Sequence, residues 1–348
     1  MTQSQARENT PSSGATFTKA QLLKYFKHIN LPSEFSSVLE THLTTINSGL
    51  KLNPSLLTAL HVHQIAAIPY ENLSLHYSKD RNIALHPHKL YEKFIERNHN
   101  RGGYCMEVAL FFLHILRSLG FDAYPTGVRI RLRKDGVPSG EYVGFVHIVI
   151  IVEFPNLLDT DGIPDKYVCD VGFGGDGPTV PMPLRTGYVI QNLGTQEIRF
   201  AYDYIPQVGR IGRHEGSRRQ RFWIYQYRNS SAAEWNSFYC FAETEFLEVD
   251  FNVINHYTST GQTFQLTTIL IVKFIPAEHE ADMLPRIRGK LMLVNETVKR
   301  NMGGKTEIVQ VCQTEAERVI ALQKWFGITL TQDEIEGITS SVAVITGS

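Results

Sequence analysis

Arg101-Gly-Gly-Tyr-Cys-Met-Glu107 leads straight into a long, mostly apolar stretch that ends at Gly120. Within that stretch Leu110, Leu113, Leu116 and Leu119 recur at helical spacing, and Gly120 suits the position just past a helix end. A helix therefore starts at Cys105, and its thiol lies in the first turn, where free N–H groups and the helix dipole favour an anion. Gly102 and Gly103 allow a close backbone approach ahead of the sulfur, so that the Cys105 N–H is free to face a developing oxyanion. The competing reading is a buried structural cysteine, since free cysteine is among the most buried residue types.

Upstream of this stretch the apolar residues keep the same period: Leu22, Leu23, Phe26 and Ile29, then Leu56, Leu57, Leu60 and Ile65. Downstream the pattern changes to β-branched and alternating runs, Ala123 to Leu132, Tyr142 to Glu153, Tyr167 to Val171, Gln196 to Tyr204 and Arg221 to Tyr227. The final third mixes strand-like runs (Thr263 to Phe274, Lys290 to Val294, Thr306 to Val311) with a helical stretch from Glu315 to Phe326. The expected organisation is an α+β chain: a disordered tail over 1–16, a helical bundle over 17–120, an antiparallel β-barrel over 121–235 and an α/β lid over 236–348.

With 348 residues and 43% hydrophobic content the chain can bury a substantial core. Its 34 Lys and Arg nearly cancel 35 Asp and Glu, so no overall field points to nucleic acid or an anionic membrane. The polar start lacks an apolar core segment, and no apolar run approaches the roughly 20 residues of a membrane helix, so a cytoplasmic protein is expected. Four scattered cysteines without a CxxC pair are read as thiols.

Two further residues interrupt strand patterns. His147 sits within the apolar run Val143 to Val152, where an unpartnered ring is costly to bury; it is either a satisfied core histidine or a base. Asp170, in Tyr167-Val-Cys-Asp-Val-Gly-Phe-Gly174, is either a turn aspartate or the carboxylate that orients that imidazole. Gly172 to Gly177 spells a dinucleotide fingerprint, but Pro178, Pro181 and Pro183 forbid the helix it needs. The pairs His61/His63 and His86/His88 have no obvious third ligand, so no metal is expected. The basic cluster Arg210, Arg213, His214, Arg218, Arg219 and Arg221 reads as a solvated loop.

Taken in order, Ile68-Pro-Tyr-Glu-Asn-Leu73, Arg101-Gly-Gly-Tyr-Cys105, and Asp170-Val-Gly-Phe-Gly174 followed by Pro181-Met-Pro-Leu184 resemble the motifs of the arylamine N-acetyltransferase family. Tyr257 to Thr260 and Trp325-Phe-Gly-Ile328 are similar to later family segments. The resemblance implies a helical bundle, a barrel and a lid with a papain-like Cys-His-Asp triad, here Cys105, His147 and Asp170. It implies that Tyr104 and Phe173 line the acceptor pocket, and that Gly144 and Thr260 approach coenzyme A.

No permanently bound cofactor is implied. Acetyl-CoA or malonyl-CoA would be the co-substrate, a small aromatic amine or hydrazine the acceptor, and detoxification the setting. Arg101 is expected to pair with Glu71, because an unpaired buried guanidinium is strongly destabilising. The family's usual asparagine four residues after the nucleophile is Ala109 here, leaving room for a bulkier acyl group. The arginine that some relatives carry after the motif phenylalanine is Gly175. A cysteine peptidase or amidase, or an inactive binding protein, are the rival readings.

Overall fold

The computed structural model of the chain describes residues 16–45, 49–97, 99–158, 164–209, 220–261, 263–278, 280 and 283–346. The expected tail up to residue 15 and the basic positions Arg210, Arg213, His214, Arg218 and Arg219 lie outside the described residues.

The amino-terminal part contains α1 (Lys19–His28), α2 (Ser33–Thr44), α3 (Pro54–Ala67), α4 (Ser74–Tyr77), α5 (Pro87–Tyr91), a π turn over Glu92–Glu96, and α6 (Cys105–Ser118). Their starts follow from side-chain chemistry. Thr18 accepts from the Gln21 amide while Gln21 accepts from Thr18, and Asn53 caps α3 ahead of Pro54. Every side chain of α6 except Arg117 is buried, the pattern of a helix surrounded by other elements.

Eight antiparallel strands follow: β2 (Asp122–Lys134), β3 (Val137–Leu158), β4 (Pro164–Cys169), β5 (Met182–Pro183), β6 (Ile190–Gln191), β7 (Glu197–Asp203), β8 (Phe222–Arg228) and β9 (Asn236–Phe241). Their order is β5-β4-β3-β2-β9-β8-β7-β6. The segment leaving β5 returns to the opposite edge, where Thr186 bridges Phe200 and the Gly187 N–H donates to the Phe200 carbonyl at 2.8 Å. The sheet is thus an almost closed barrel, and it extends to Phe241, beyond the expected limit at residue 235.

The period of two along β3 assigns its faces. Ile148, Ile150 and Val152 pack toward α6 and the helical core, whereas Val149 and Ile151 join Phe200, Tyr225 and Tyr239 inside the barrel. His147 shares the inward parity.

The carboxy-terminal part contains α7 (Glu248–Thr260), β10 (Leu270–Pro276), β11 (Ile287–Val294), β12 (Thr297–Asn301), β13 (Glu307–Val311), α8 (Glu315–Ala321), a π turn over Leu322–Phe326, and α9 (Gln332–Gly337). Its sheet has the order β1-β10-β11-β12-β13, and β1 is Tyr70–Glu71, a dipeptide from the helical part of the chain. The expected strand over Thr263 to Phe274 begins only at Leu270, because Gln265 and Thr268 are engaged in side-chain bonds to Asn72.

The same dipeptide holds the nucleophile loop. The Glu71 N–H donates to the Gly103 carbonyl at 3.0 Å, and the Gly103 N–H to the Pro69 carbonyl at 3.3 Å. A Cβ on Gly102 would lie 1.8 Å from the Pro69 oxygen, so only glycine fits. Glu71 is fully buried and accepts from Arg101 Nε at 2.9 Å, with Lys93 at 3.9 Å; Arg101 also meets Glu334 of α9. Burial alone would push the Glu71 carboxyl up, but Arg101 and Lys93 outweigh it and hold it below its ordinary value. Removing one partner leaves the others as buried, uncompensated charges. Arg101→Met should therefore cost about 3–5 kcal/mol of unfolding free energy, read from the urea midpoint; a loss under about 1 kcal/mol would contradict this role.

Candidate active site

Cys105 occupies the first turn of α6 and is 4% exposed. The Tyr104 N–H ahead of it is satisfied by the Glu107 carboxylate at 3.1 Å, whereas a helix of this geometry offers no acceptor to its first amide, that of Cys105. A Cβ on Gly172 would meet the Cys105 Cα at 2.8 Å, so the loop after Asp170 lies directly against the nucleophile turn.

His147 and Asp170 are each 3% exposed. His147 Nε2 donates to Asp170 Oδ2 at 3.0 Å, and Asp170 Oδ1 accepts from the Gly172 N–H at 3.2 Å. With Nε2 engaged by Asp170, the ring also feels the Cys105 sulfur, which itself lies 3.8 Å from the carbonyl of Val146, the residue before His147. Burial opposes a charge on this imidazole. The Asp170 charge and hydrogen bond, with the Cys105 contact, outweigh burial and leave His147 pushed up to about 10. The ring is wedged between Phe173 (5.1 Å, edge-on) and Tyr239 (5.9 Å). His147 and Asp170 are thus hydrogen-bonded to each other, with Cys105 beside the ring.

Cys105 and His147 open into a cavity of about 190 Å³ whose walls include Tyr70, Phe173, Tyr257, Phe264 and Gln265. Phe173, Leu132, Ile130 and Phe264 are shared with a second chamber of about 560 Å³ that reaches Phe238, Met292 and Lys290. Lys290 is 6% exposed, hydrogen-bonds the Gly175 carbonyl and lies 3.5 Å from Asp176. A Cβ on Gly175 would sit 3.7 Å from its Nζ. A cation from β11 thus stands beside Gly175, a placement that local sequence could not reveal.

Other expectations fare differently. Phe173 lines both chambers, but Tyr104 lines neither: its ring is buried and its hydroxyl bonds Asn255 of α7. Tyr70 takes the wall position instead. Gly144 and Thr260 are exposed beside the mouth residues Val143 and Tyr257, and the Thr260 hydroxyl donates to the His256 carbonyl at 2.6 Å. Ala109 is buried in the helical core and forms no wall of either chamber, so the missing asparagine does not enlarge the space at the thiol. Among the described residues no group of three or more His, Cys, Asp or Glu is placed to hold a metal ion. No helix among them is long and apolar enough to cross a membrane.

A family model described as N-acetyltransferase matches residues 55–335. N-malonyltransferase FDB2 of Gibberella moniliformis is 31% identical over 339 residues, covering 93% of this chain and 92% of that protein. N-malonyltransferase FDB2 of Fusarium pseudograminearum is 29% identical, covering 92% of each. Among solved structures, the arylamine N-acetyltransferase from Salmonella typhimurium matches with a TM-score of 0.67 at 24% identity, covering 92% of this chain and 98% of that one. The Mycobacterium marinum arylamine N-acetyltransferase in complex with CoA matches with a TM-score of 0.66 at 22% identity, covering 91% and 98%. With its motifs in order and the match running through nearly the whole chain, the protein belongs to the arylamine N-acetyltransferase family of N-acyltransferases.

Proposed function

We propose that the protein transfers an acyl group from coenzyme A to the nitrogen of an aromatic amine or hydrazine through an acyl-cysteine on Cys105. The observation that carries this reading is the thiol at a helix amino terminus, beside an imidazole hydrogen-bonded to the buried Asp170 carboxylate, at the floor of an apolar pocket.

The imidazolium supplies the counter-charge that a thiolate nucleophile needs. The Cys105 sulfur attacks the thioester carbonyl, whose π pair moves to oxygen; collapse breaks the carbon–sulfur bond to coenzyme A, and the departing thiolate takes the His147 proton. His147 is then neutral and accepts the proton of the attacking amine, and expulsion of the Cys105 thiolate restores the ion pair. Phe173 and Phe264 offer the faces against which an aryl ring packs. A cysteine peptidase uses the same three side chains but requires an open groove for a peptide; a thiol 4% exposed beneath Tyr257 and Phe264 suits a small acceptor. The four free, buried cysteines suit a reducing compartment such as the cytoplasm.

Acetyl and malonyl are the two donor readings. Among the described residues the walls around Cys105 carry no lysine or arginine for a malonyl carboxylate, which favours acetyl, although Arg131, Arg133 and Lys290 line the adjoining chamber. The full-length likeness to the two N-malonyltransferases favours malonyl.

Intact-mass spectrometry after mixing with each donor, without amine, separates these readings. A mass gain with one donor that is absent in Cys105→Ala identifies the acyl group, and no gain with either donor removes the proposal. Turnover of Cys105→Ala should fall by roughly 10⁴-fold or more.

The His147 charge also predicts a pH dependence. A histidine raised to about 10 contributes stability that is complete below its ordinary value near 6.5 and is lost as pH rises through 10. The thermal-midpoint advantage of the wild type over Asp170→Asn should therefore be largest near pH 6.5 and shrink toward pH 10. An advantage independent of pH across that range would contradict the charged pair.

A further inference from the structure

Tyr70 lines the same pocket as Cys105, and the direction of its hydroxyl proton is determined by a chain of hydrogen bonds that begins at a backbone amide. The Leu270 N–H, which can only donate, points to Asn72 Oδ1 at 2.8 Å. This fixes the Asn72 amide, whose Nδ2 donates to the Thr268 carbonyl at 2.8 Å and shares its other proton between Gln265 Oε1 and the Gln265 carbonyl, both at 3.1 Å. Gln265 is fixed in turn, since the flipped amide would set two NH₂ groups against each other. Its Nε2 donates to the Tyr70 hydroxyl oxygen at 2.6 Å.

Tyr70 is therefore an acceptor toward Gln265, and its own O–H must find an acceptor elsewhere. The ring is 7% exposed, and the space open to it is the cavity it shares with Cys105 and His147. The backbone fixes that approach, because Tyr70 bridges Gly103, two residues before the nucleophile. Asn72, Gln265 and His76 are all buried, and His76 lies 2.9 Å from the Gln265 carbonyl, so the relay is shielded from water.

We infer that Tyr70 is a further catalytic residue, its hydroxyl donating a hydrogen bond to the acyl oxygen as negative charge develops there during attack by Cys105. The inference rests on the acyl-transfer reading. Tyr70 keeps its proton throughout: the carbon–sulfur bond forms, the carbonyl π pair moves to oxygen, and the phenol O–H and the Cys105 N–H face that oxygen together. A donor held in place before the reaction needs no reorganisation when the charge appears. The side chain that holds it, Gln265, belongs to the segment leading into β10, so a complete oxyanion site requires the carboxy-terminal part in place.

Tyr70→Phe removes the hydroxyl and keeps the ring. Acyl-cysteine formation, followed as coenzyme A release in a single turnover without amine, should slow by about 10²-fold. Alkylation of Cys105 by iodoacetamide builds no oxyanion and should keep its rate within about twofold. Gln265→Glu leaves the phenol but places an acceptor where the donor stood, turning the proton away, and should slow acylation similarly without slowing alkylation. Unchanged acylation in Tyr70→Phe would overturn the inference, as would an equal fall in both rates, which would place the phenol's effect on the sulfur or the fold. A wild type that is alkylated normally but not acylated by either donor would remove the acyl-transfer reading, and this inference with it.

Discussion

The buried ion pair between Glu71 and Arg101 is the constraint on which the rest of the structure depends. Arg101 opens the glycine turn before the nucleophile, Glu71 lies in the dipeptide strand that edges the carboxy-terminal sheet, and Glu334 ties the same guanidinium to α9. Two charges taken out of water are unfavourable unless they meet at close range with their other bonding positions filled. Here the remaining positions are filled by the Leu73 N–H on Glu71 and by the Ser74 hydroxyl on Arg101. The effect is positional: separating the nucleophile turn from the sheet would strand both charges.

Around that anchor, two periodicities deliver the chemistry. The helical period of α6 buries one side chain after another and leaves the sulfur at its amino end. The strand period of β3 turns His147 into the barrel, where Asp170 at the end of β4 and the rings of Phe173 and Tyr239 enclose it. The barrel supplies a low-dielectric setting in which the Asp170 charge outweighs burial. By contrast, His61 is fully buried with no bonded carboxylate, and burial outweighs the Asp170 charge and the Pro178 carbonyl and pushes it down to about 4. Two buried histidines in one molecule thus carry opposite charge states, and the difference is a bonded carboxylate.

Much of this was legible in the sequence, and the reason is locality. The glycine pair, the helix start and the polar residues interrupting apolar strands each follow from a short stretch read against the cost of burial, whereas the Arg101–Glu71 pair, 30 positions apart, was expected from the family resemblance together with that cost. What the sequence hid depends on contacts between distant residues. Tyr70 and Gln265 are 195 positions apart, and nothing in either stretch states which way the phenol proton points. Lys290 fills the place beside Gly175 from another strand. The helix α7 escaped because Val249, Val253 and Tyr257 on its outer face are apolar and exposed, which blurs the period that Phe251, Ile254 and Thr258 set on its inner face. Tyr104, placed in the pocket by the family resemblance, lies elsewhere for a related reason: nothing in its own stretch states the Asn255 contact that draws its hydroxyl to α7.

The central claim is that Cys105 is acylated before any amine is needed. Rapid mixing of the protein with acyl-CoA alone, with released coenzyme A followed by a thiol reagent, tests it most directly. An acyl-cysteine formed without amine gives a burst approaching one coenzyme A per chain, then a near halt until an aromatic amine is added. Release that begins only when amine is present would contradict it.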